Sequence, residues 1–162
     1  LSIHGIETSK TSEAITQQVE QYRFTQPKFG KQDYEGRQTV KAKVQSETLM
    51  KTIPAGSIKV STAQPLGDLA ILLLEPQAED SLFYWGMFNT IFTRTEYIED
   101  YAVEPMAAHM LAHDPKLKAE FEKALADEDF AKDSKARLRW FYQRSPYYDK
   151  QYQVYPVLRA LQ

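Results

Sequence analysis

A strand-to-helix handover inside Ile53 to Phe92 limits the folds open to this chain more than any other stretch does. It reads IPAGSIKVSTAQPLGDLAILLLEPQAEDSLFYWGMFNTIF and holds nearly all of the densest apolar sequence. Ser57 to Thr62 alternates, with Ile58, Val60 and Thr62 on one face and Ser57, Lys59 and Ser61 on the other. A period of two after a Pro-Ala-Gly turn predicts a half-buried strand. At Gln64-Pro65 the period changes. Leu66, Leu69, Ala70, Leu73 and Leu74 fall at helical spacing, Pro65 suits a first turn, and Pro76 ends the helix. Ile71 and Leu72 fill the flanks, so this helix is apolar nearly all round and is expected to be deeply buried. Ser81 to Phe92 adds Leu82, Phe83, Tyr84, Trp85, Met87, Phe88, Ile91 and Phe92. That is core material, and it carries no chemistry.

Strands are expected before this stretch and helices after it. Arg37 to Leu49 alternates with Val40, Ala42 and Val44 on one face and Lys41, Lys43 and Gln45 on the other. With Ser57 to Thr62 it is expected to form an antiparallel sheet with one solvated face. Ile15 to Phe24 fits strand or helix, and Val19, Tyr22 and Phe24 favour strand. Pro27, Gly30 and Gly36 mark Gln26 to Gly36 as a loop or hairpin connection. Beyond Phe92 the pattern turns helical. Tyr97 to Val103 reads as a short helix broken at Glu104-Pro105, with Pro105 opening the next one through Met106, Ala107, Met110 and Leu111. Asp114-Pro115 is an N-cap followed by proline at the first helical position, ahead of a face made by Leu117, Phe121, Ala124 and Leu125. Ser134 is expected to cap a last helix through Arg137, Leu138, Trp140 and Phe141 that ends before Ser145-Pro146. Tyr147 to Gln162 looks aromatic and irregular. The fold class is α+β: an N-terminal antiparallel sheet followed by a C-terminal set of packed helices. The expected organisation is a single domain over 1–162, with 1–63 mainly strands and 64–162 mainly helices.

Charge and composition remove several functions. The chain has 162 residues and a net charge of −2, with both signs scattered, which gives no electrostatic reason to expect nucleic acid or an anionic membrane. Leu69 to Leu74 is the longest uninterrupted apolar run, far below the roughly 20 residues of a membrane span. No cysteine is present, which excludes disulfides, thiolate zinc sites and a cysteine nucleophile. The chain opens Leu1-Ser2-Ile3 without methionine or a leader pattern, so it is expected to be a piece of something longer.

Few residues offer chemistry. His4-Gly5-Ile6-Glu7 is an H-x-x-E, and with the distant His109 it has the ligand types of an open zinc site. Gly5 is a poor rigid scaffold for such a site. His109 and His113 lie four apart on one helix face, yet Met110 follows His109, so the general base of H-E-x-x-H is missing. The expected reading of the pair is a positive cap at a helix C-terminus. No metal ligand set is assigned; His4, Glu7, His109 and His113 are its candidates. Glu96, Glu99, Asp100 and Glu104 cluster where acids suit a helix start, and Asp127, Glu128 and Asp129 read as a helix-to-helix turn. No phosphate loop, nucleophile elbow or Ser-x-x-Lys occurs, so no catalytic residue is assigned. The chain holds 10 tyrosines, and several crowd one end. There Trp140, Tyr142, Arg144, Tyr147 and Tyr148, with Tyr152 and Tyr155 following, can form a sugar-, peptide- or partner-binding platform. Pinning the tail to the core is the plainer role.

Three segments carry a resemblance. They are IPAGSIKVSTAQPLGDLAILLLEPQAEDSLFYWGMFN, EYIEDYAVEPMAAHMLAHDPKLKAEFE and RLRWFYQRSPYYD. Together they resemble the C-terminal region of large bacterial zinc carboxypeptidases of the carboxypeptidase A-like family. The shared elements are Pro54-Ala55-Gly56, Gln64-Pro65, Leu73-Leu74-Glu75-Pro76, Glu99-Asp100-Tyr101, Glu104-Pro105, Trp140-Phe141-Tyr142 and Ser145-Pro146-Tyr147. His4-Gly5-Ile6 is similar to the family's entry into this region. The resemblance implies a parent that is a zinc-dependent exopeptidase, removing C-terminal residues from peptides. It places the zinc ligands, catalytic glutamate and carboxylate-binding arginine in a domain upstream of Leu1, with none in this segment. It also implies a periplasmic or extracellular setting. The expected role is a non-catalytic accessory domain packed on that upstream catalytic domain, with a glycan-, peptidoglycan- or peptide-binding module as the alternative.

Overall fold

The computed structural model describes residues 1–94 and 98–161. Thr95, Glu96 and Tyr97 fall outside that range, and with them the expected start of the first C-terminal helix and one member of its acidic cluster. The architecture is α+β. The chain divides into two compact units, Leu1–Thr93 with Gln151–Gln162, and Arg94–Lys150.

The first unit is built on a long hairpin. Its arms are β2 (Ile15–Phe29) and β3 (Val40–Ile53), paired antiparallel from Ile15 opposite Ile53 to Phe29 opposite Val40. The alternation read in Arg37–Leu49 holds, and Ile15–Phe24 is strand as favoured: Tyr22 and Phe24 lie on the face of Val40, Ala42 and Val44, and pack with them. β2 runs past its expected end. Its register shifts between Thr25 and Lys28, where Gln26 has a φ of 53°, and this bulge admits Pro27 without loss of a ladder bond. A third strand, β5 (Val154–Ala160), pairs antiparallel with β2, giving the order β3-β2-β5. The tail expected to be irregular is therefore partly sheet. Pro156 fits because β5 is an edge strand.

Ser57 to Thr62 does not join this sheet. Only Ile58–Lys59 is strand (β4), and it pairs with β1 (Ser9–Lys10). The reason lies in the hairpin register. Ile53 already faces Ile15, so the chain after the Pro54-Ala55-Gly56 turn meets the residues just before Ile15. Thr11 fastens that junction, its N–H donating to Ser57 O at 2.9 Å and its hydroxyl to Pro54 O at 2.9 Å. The second sheet face is also less solvated than expected, since Val19 and Gln21 are buried on it.

α1 (Gly67–Leu74) forms where the period changes, but it is not deeply buried. Gly67 and Ala70 are its buried residues, while Ile71 is 47 % and Leu72 45 % exposed. A Cβ on Gly67 would overlap the Thr62 carbonyl, so the start of the helix is seated tightly on the chain, while Asp68, Ile71 and Leu72, three and four apart, share the exposed side. Chain 81–92 then folds as turns ending in a 3-10 segment, Asn89–Phe92, and delivers Phe83 to the sheet. Phe24 and Phe83 stack at 4.2 Å, and Tyr155 of β5 meets both rings edge-on at 5.5 and 6.0 Å. That aromatic cluster is the centre of the first unit.

The second unit is helical. α2 (Asp100–His113) runs through Pro105 without a break, unlike the expected two helices. Proline there leaves only the Tyr101 carbonyl without its helical donor, and Tyr101 is exposed, where solvent can serve it. α3 (Pro115–Ala124) is capped as predicted, Asp114 accepting from the N–H groups of Lys116 and Leu117 at 3.0 Å each. Asp127 caps α4 (Glu128–Lys132) in the same way. Asp133, not Ser134, caps α5 (Ser134–Arg144), accepting from Ala136 N at 3.0 Å. A carboxylate also suits the positive end of the helix better than a hydroxyl does. Val103, Ala107 and Phe141 form the core, with Met106, Met110, Leu117, Phe121, Leu138 and Trp140 packed around them.

Candidate functional site

The most developed polar site lies in the first unit, and no sequence motif announces it. β2 supplies Glu20 and Tyr22, β3 supplies Val44 and Ser46, the chain leaving α1 supplies Glu75 and Gln77, and β5 supplies Arg159. They line a shallow, open cleft of about 630 Å³. Pairing explains the convergence: Tyr22 lies opposite Ser46 on one neighbour, and Glu20 opposite Arg159 on the other. Arg159 divides its guanidinium between two carboxylates, Nη1 to Glu20 at 2.9 Å and Nη2 to Glu75 at 2.8 Å. Glu75 also accepts from the Tyr22 hydroxyl at 3.3 Å, and Glu20 from the Ser46 hydroxyl at 2.5 Å. Beneath the cleft, the Tyr155 hydroxyl donates to the Leu74 carbonyl at 2.9 Å.

Both phenols are harder to ionise than usual. Burial raises the Tyr22 pKa, and the Glu75 charge adds to it, against the opposing pull of Arg159. Burial likewise raises Tyr155 well above its ordinary value, again assisted by Glu75. A raised folded pKa means that the unfolded chain gives up the proton first, near pH 10. The stabilising contribution is complete below that pH and is lost as pH climbs through the folded value. The first unit is therefore expected to lose stability above about pH 10, at up to about 1.4 kcal/mol per pH unit for Tyr155 alone. Urea midpoints between pH 8 and 11.5 check this, and Tyr155→Phe should flatten the alkaline slope. An unchanged slope would overturn the assignment.

Chemically this cluster is a fastening. Its cation is answered by two carboxylates, and both carboxylates accept further hydrogen bonds. It ties β2, β5 and the end of α1 together. Sequence reading passed over it because positions 20, 75 and 159 are far apart. Glu75 stood out only as part of the Leu73-Leu74-Glu75-Pro76 motif, with nothing to say that it holds Arg159.

The candidate metal ligands fall in different units. His4 and Glu7 belong to the first unit and are exposed, and the Glu7 backbone is held by Gln64, whose Oε1 accepts its N–H at 2.8 Å. His109 and His113 belong to the second unit. Among the described residues no group of three or more His, Cys, Asp or Glu side chains is placed to hold a metal ion. His109 and His113 do come together: their rings stack at 4.1 Å, and His113 Nδ1 lies 2.8 Å from the His109 carbonyl oxygen.

The aromatic segment divides too. Tyr152 and Tyr155 fall in the first unit, and Tyr155 is buried. Trp140, Tyr142, Arg144, Tyr147 and Tyr148 stay in the second. Trp140 packs on Phe121 and Phe141 at 5.2 and 5.0 Å, and the Arg144 guanidinium lies 3.7 Å from its ring centre. Tyr142 and Tyr148 meet edge to face at 5.5 Å. The buried Ser145 shapes the turn between them, its hydroxyl donating to Tyr142 O at 2.8 Å and accepting from Tyr147 N at 3.3 Å. Tyr147 itself is 68 % exposed. Ring packing thus occupies four of the five residues.

No family model, curated protein or solved structure matches the chain. Among the described residues no helix is long and apolar enough to cross a membrane.

Proposed function

We propose that this chain is a non-catalytic accessory region of a zinc carboxypeptidase, docked on an upstream catalytic domain of the same protein. Zinc, the catalytic glutamate and the carboxylate-binding arginine would belong to that domain, and the setting would be periplasmic or extracellular. The observation that carries the reading is the exposed pair Ile71 and Leu72 on α1, which share one side of the helix with the exposed Asp68. Two neighbouring half-exposed aliphatic side chains offer a small apolar surface that the upstream domain would cover. The resemblance supplies the partner. The motif residues support the reading as well, because they fasten the fold: Gln64 clasps the Glu7 backbone, the Leu74 carbonyl takes the Tyr155 hydroxyl, and Glu75 holds Arg159 and Tyr22.

The chain alone, supplied with Zn²⁺ and a peptide pair with free and blocked C-termini, is expected to release no C-terminal residue. Zinc-dependent release from the free peptide would overturn the proposal. In the full-length protein, Ile71→Glu with Leu72→Glu should lower the melting midpoint of the catalytic domain while leaving this region's circular dichroism intact. The alternative, a glycan-, peptidoglycan- or peptide-binding module, keeps one observation in its favour, the exposed Tyr147 ring beside Tyr148. Retention on peptidoglycan that disappears with Tyr147→Ala would put it in first place.

A further inference from the structure

We propose that His109 and His113 form a two-histidine site for a divalent transition-metal ion, Cu²⁺ or Zn²⁺, near the C-terminal end of α2. Residues four apart on a helix carry their side chains on one face, with Cβ atoms about 5–6 Å apart. Here both rings are exposed and lie nearly parallel, with 4.1 Å between centres and 21° between planes. With His113 held by its carbonyl contact, it is the His109 ring that turns out of this stack to share an ion with it.

The second observation concerns orientation. His113 Nδ1 lies 2.8 Å from the His109 carbonyl oxygen. A carbonyl only accepts, so His113 Nδ1 is the donor in this contact, and in the neutral ring the lone pair then lies on Nε2. A backbone carbonyl that fixes the tautomer of one ring in this way is the usual outer support of an imidazole ligand. The location helps as well. The pair lies near the C-terminal end of a 14-residue helix, where unpaired carbonyls favour positive charge. Imidazole nitrogens suit borderline ions, and the usual order of affinities puts Cu²⁺ above Zn²⁺. With only two protein ligands, the other coordination positions stay open to water or to an outside donor.

The test uses the chain freed of any affinity tag, titrated with CuCl₂ or ZnCl₂ and nothing else. Paramagnetic Cu²⁺ below one equivalent is expected to broaden the ring resonances of His109 and His113 together, while His4 stays sharp. In calorimetric titrations His109→Ala and His113→Ala should each weaken Zn²⁺ binding at least about tenfold, a change of 1.4 kcal/mol, with His4→Ala without effect. Alanine is a strong helix former at these exposed positions, so the variants remain folded and circular dichroism confirms it. Equal broadening of all three histidines, or unchanged affinity in either helix variant, would overturn the site.

Discussion

Replacing Phe24 by alanine is expected to destabilise the first unit by about 3–5 kcal/mol. The ring is fully buried at the middle of the central strand, stacked on Phe83 at 4.2 Å, with Tyr155 at 5.5 Å and Phe92 at 6.0 Å. Truncation removes the ring's transfer energy and leaves a void framed by other rings, which cannot collapse into it. The aromatic pairs are lost in addition, each worth about 0.5–1.5 kcal/mol beyond area. Domains hold only about 5–15 kcal/mol in all, so this one change can unfold a large fraction of the unit at 37 °C. The two tryptophans make the measurement clean, because Trp85 belongs to the first unit and Trp140 to the second. Urea unfolding followed by Trp85 fluorescence in a Trp140→Phe background isolates the first unit. Met50→Ala, at an exposed position of the neighbouring strand β3, is the control and should cost less than about 1 kcal/mol. Equal costs at the two positions would mean that Phe24 is not the centre of the core.

Gly86→Ala should cost about 2–4 kcal/mol, for two separable reasons. Its φ of 72° lies in the left-handed region, which costs an alanine roughly 1 kcal/mol. A Cβ there would also overlap the Gln38 carbonyl oxygen and lie 2.8 Å from Asn89 Nδ2. The Gln38 carbonyl is backbone and accepts from Asn89 Nδ2 at 3.1 Å, so it cannot simply swing aside. Gly56→Ala separates the two terms. It shares a left-handed φ of 82° but has nothing within 4 Å of the added methyl. It should show the conformational cost alone, and the difference between the variants measures the overlap. If both lose the same stability, chain 81–92 does not approach the hairpin as closely as described.

How far the sequence could be read followed the range of the interactions involved. Alternation in Val40, Ala42 and Val44 predicted a strand because its cause, one face on a core, repeats every second residue. Asp114 and Asp127 were legible because a cap bonds to N–H groups two and three residues away. β5 was not legible: Pro156 and the tyrosines around it hide a short edge strand whose partner β2 lies more than a hundred positions earlier. Pro105 misled for the opposite reason. A local rule made it a breaker, but the helix loses only one bond there, at an exposed carbonyl. α1 shows a further limit, since an all-round apolar helix implies cover without saying whether this chain provides it. In the candidate site, the Glu20–Arg159–Glu75 ties depend on strand pairing across the whole chain and leave no pattern in any window. The His109–His113 spacing was visible, but the carbonyl that orients His113 was not.

The first unit takes its last strand from residues that follow the whole of Arg94–Lys150. On the ribosome, the hairpin and the Phe83 segment therefore emerge long before Tyr155 can seal them. In the interval one edge of β2 stays unpaired and the Phe24–Phe83 stack lies open, which is the kind of surface that invites wrong partners. The helical unit has no such wait, since its elements are neighbours in the chain. Order of synthesis thus runs against order of assembly, and the helices are complete before the sheet that precedes them can close.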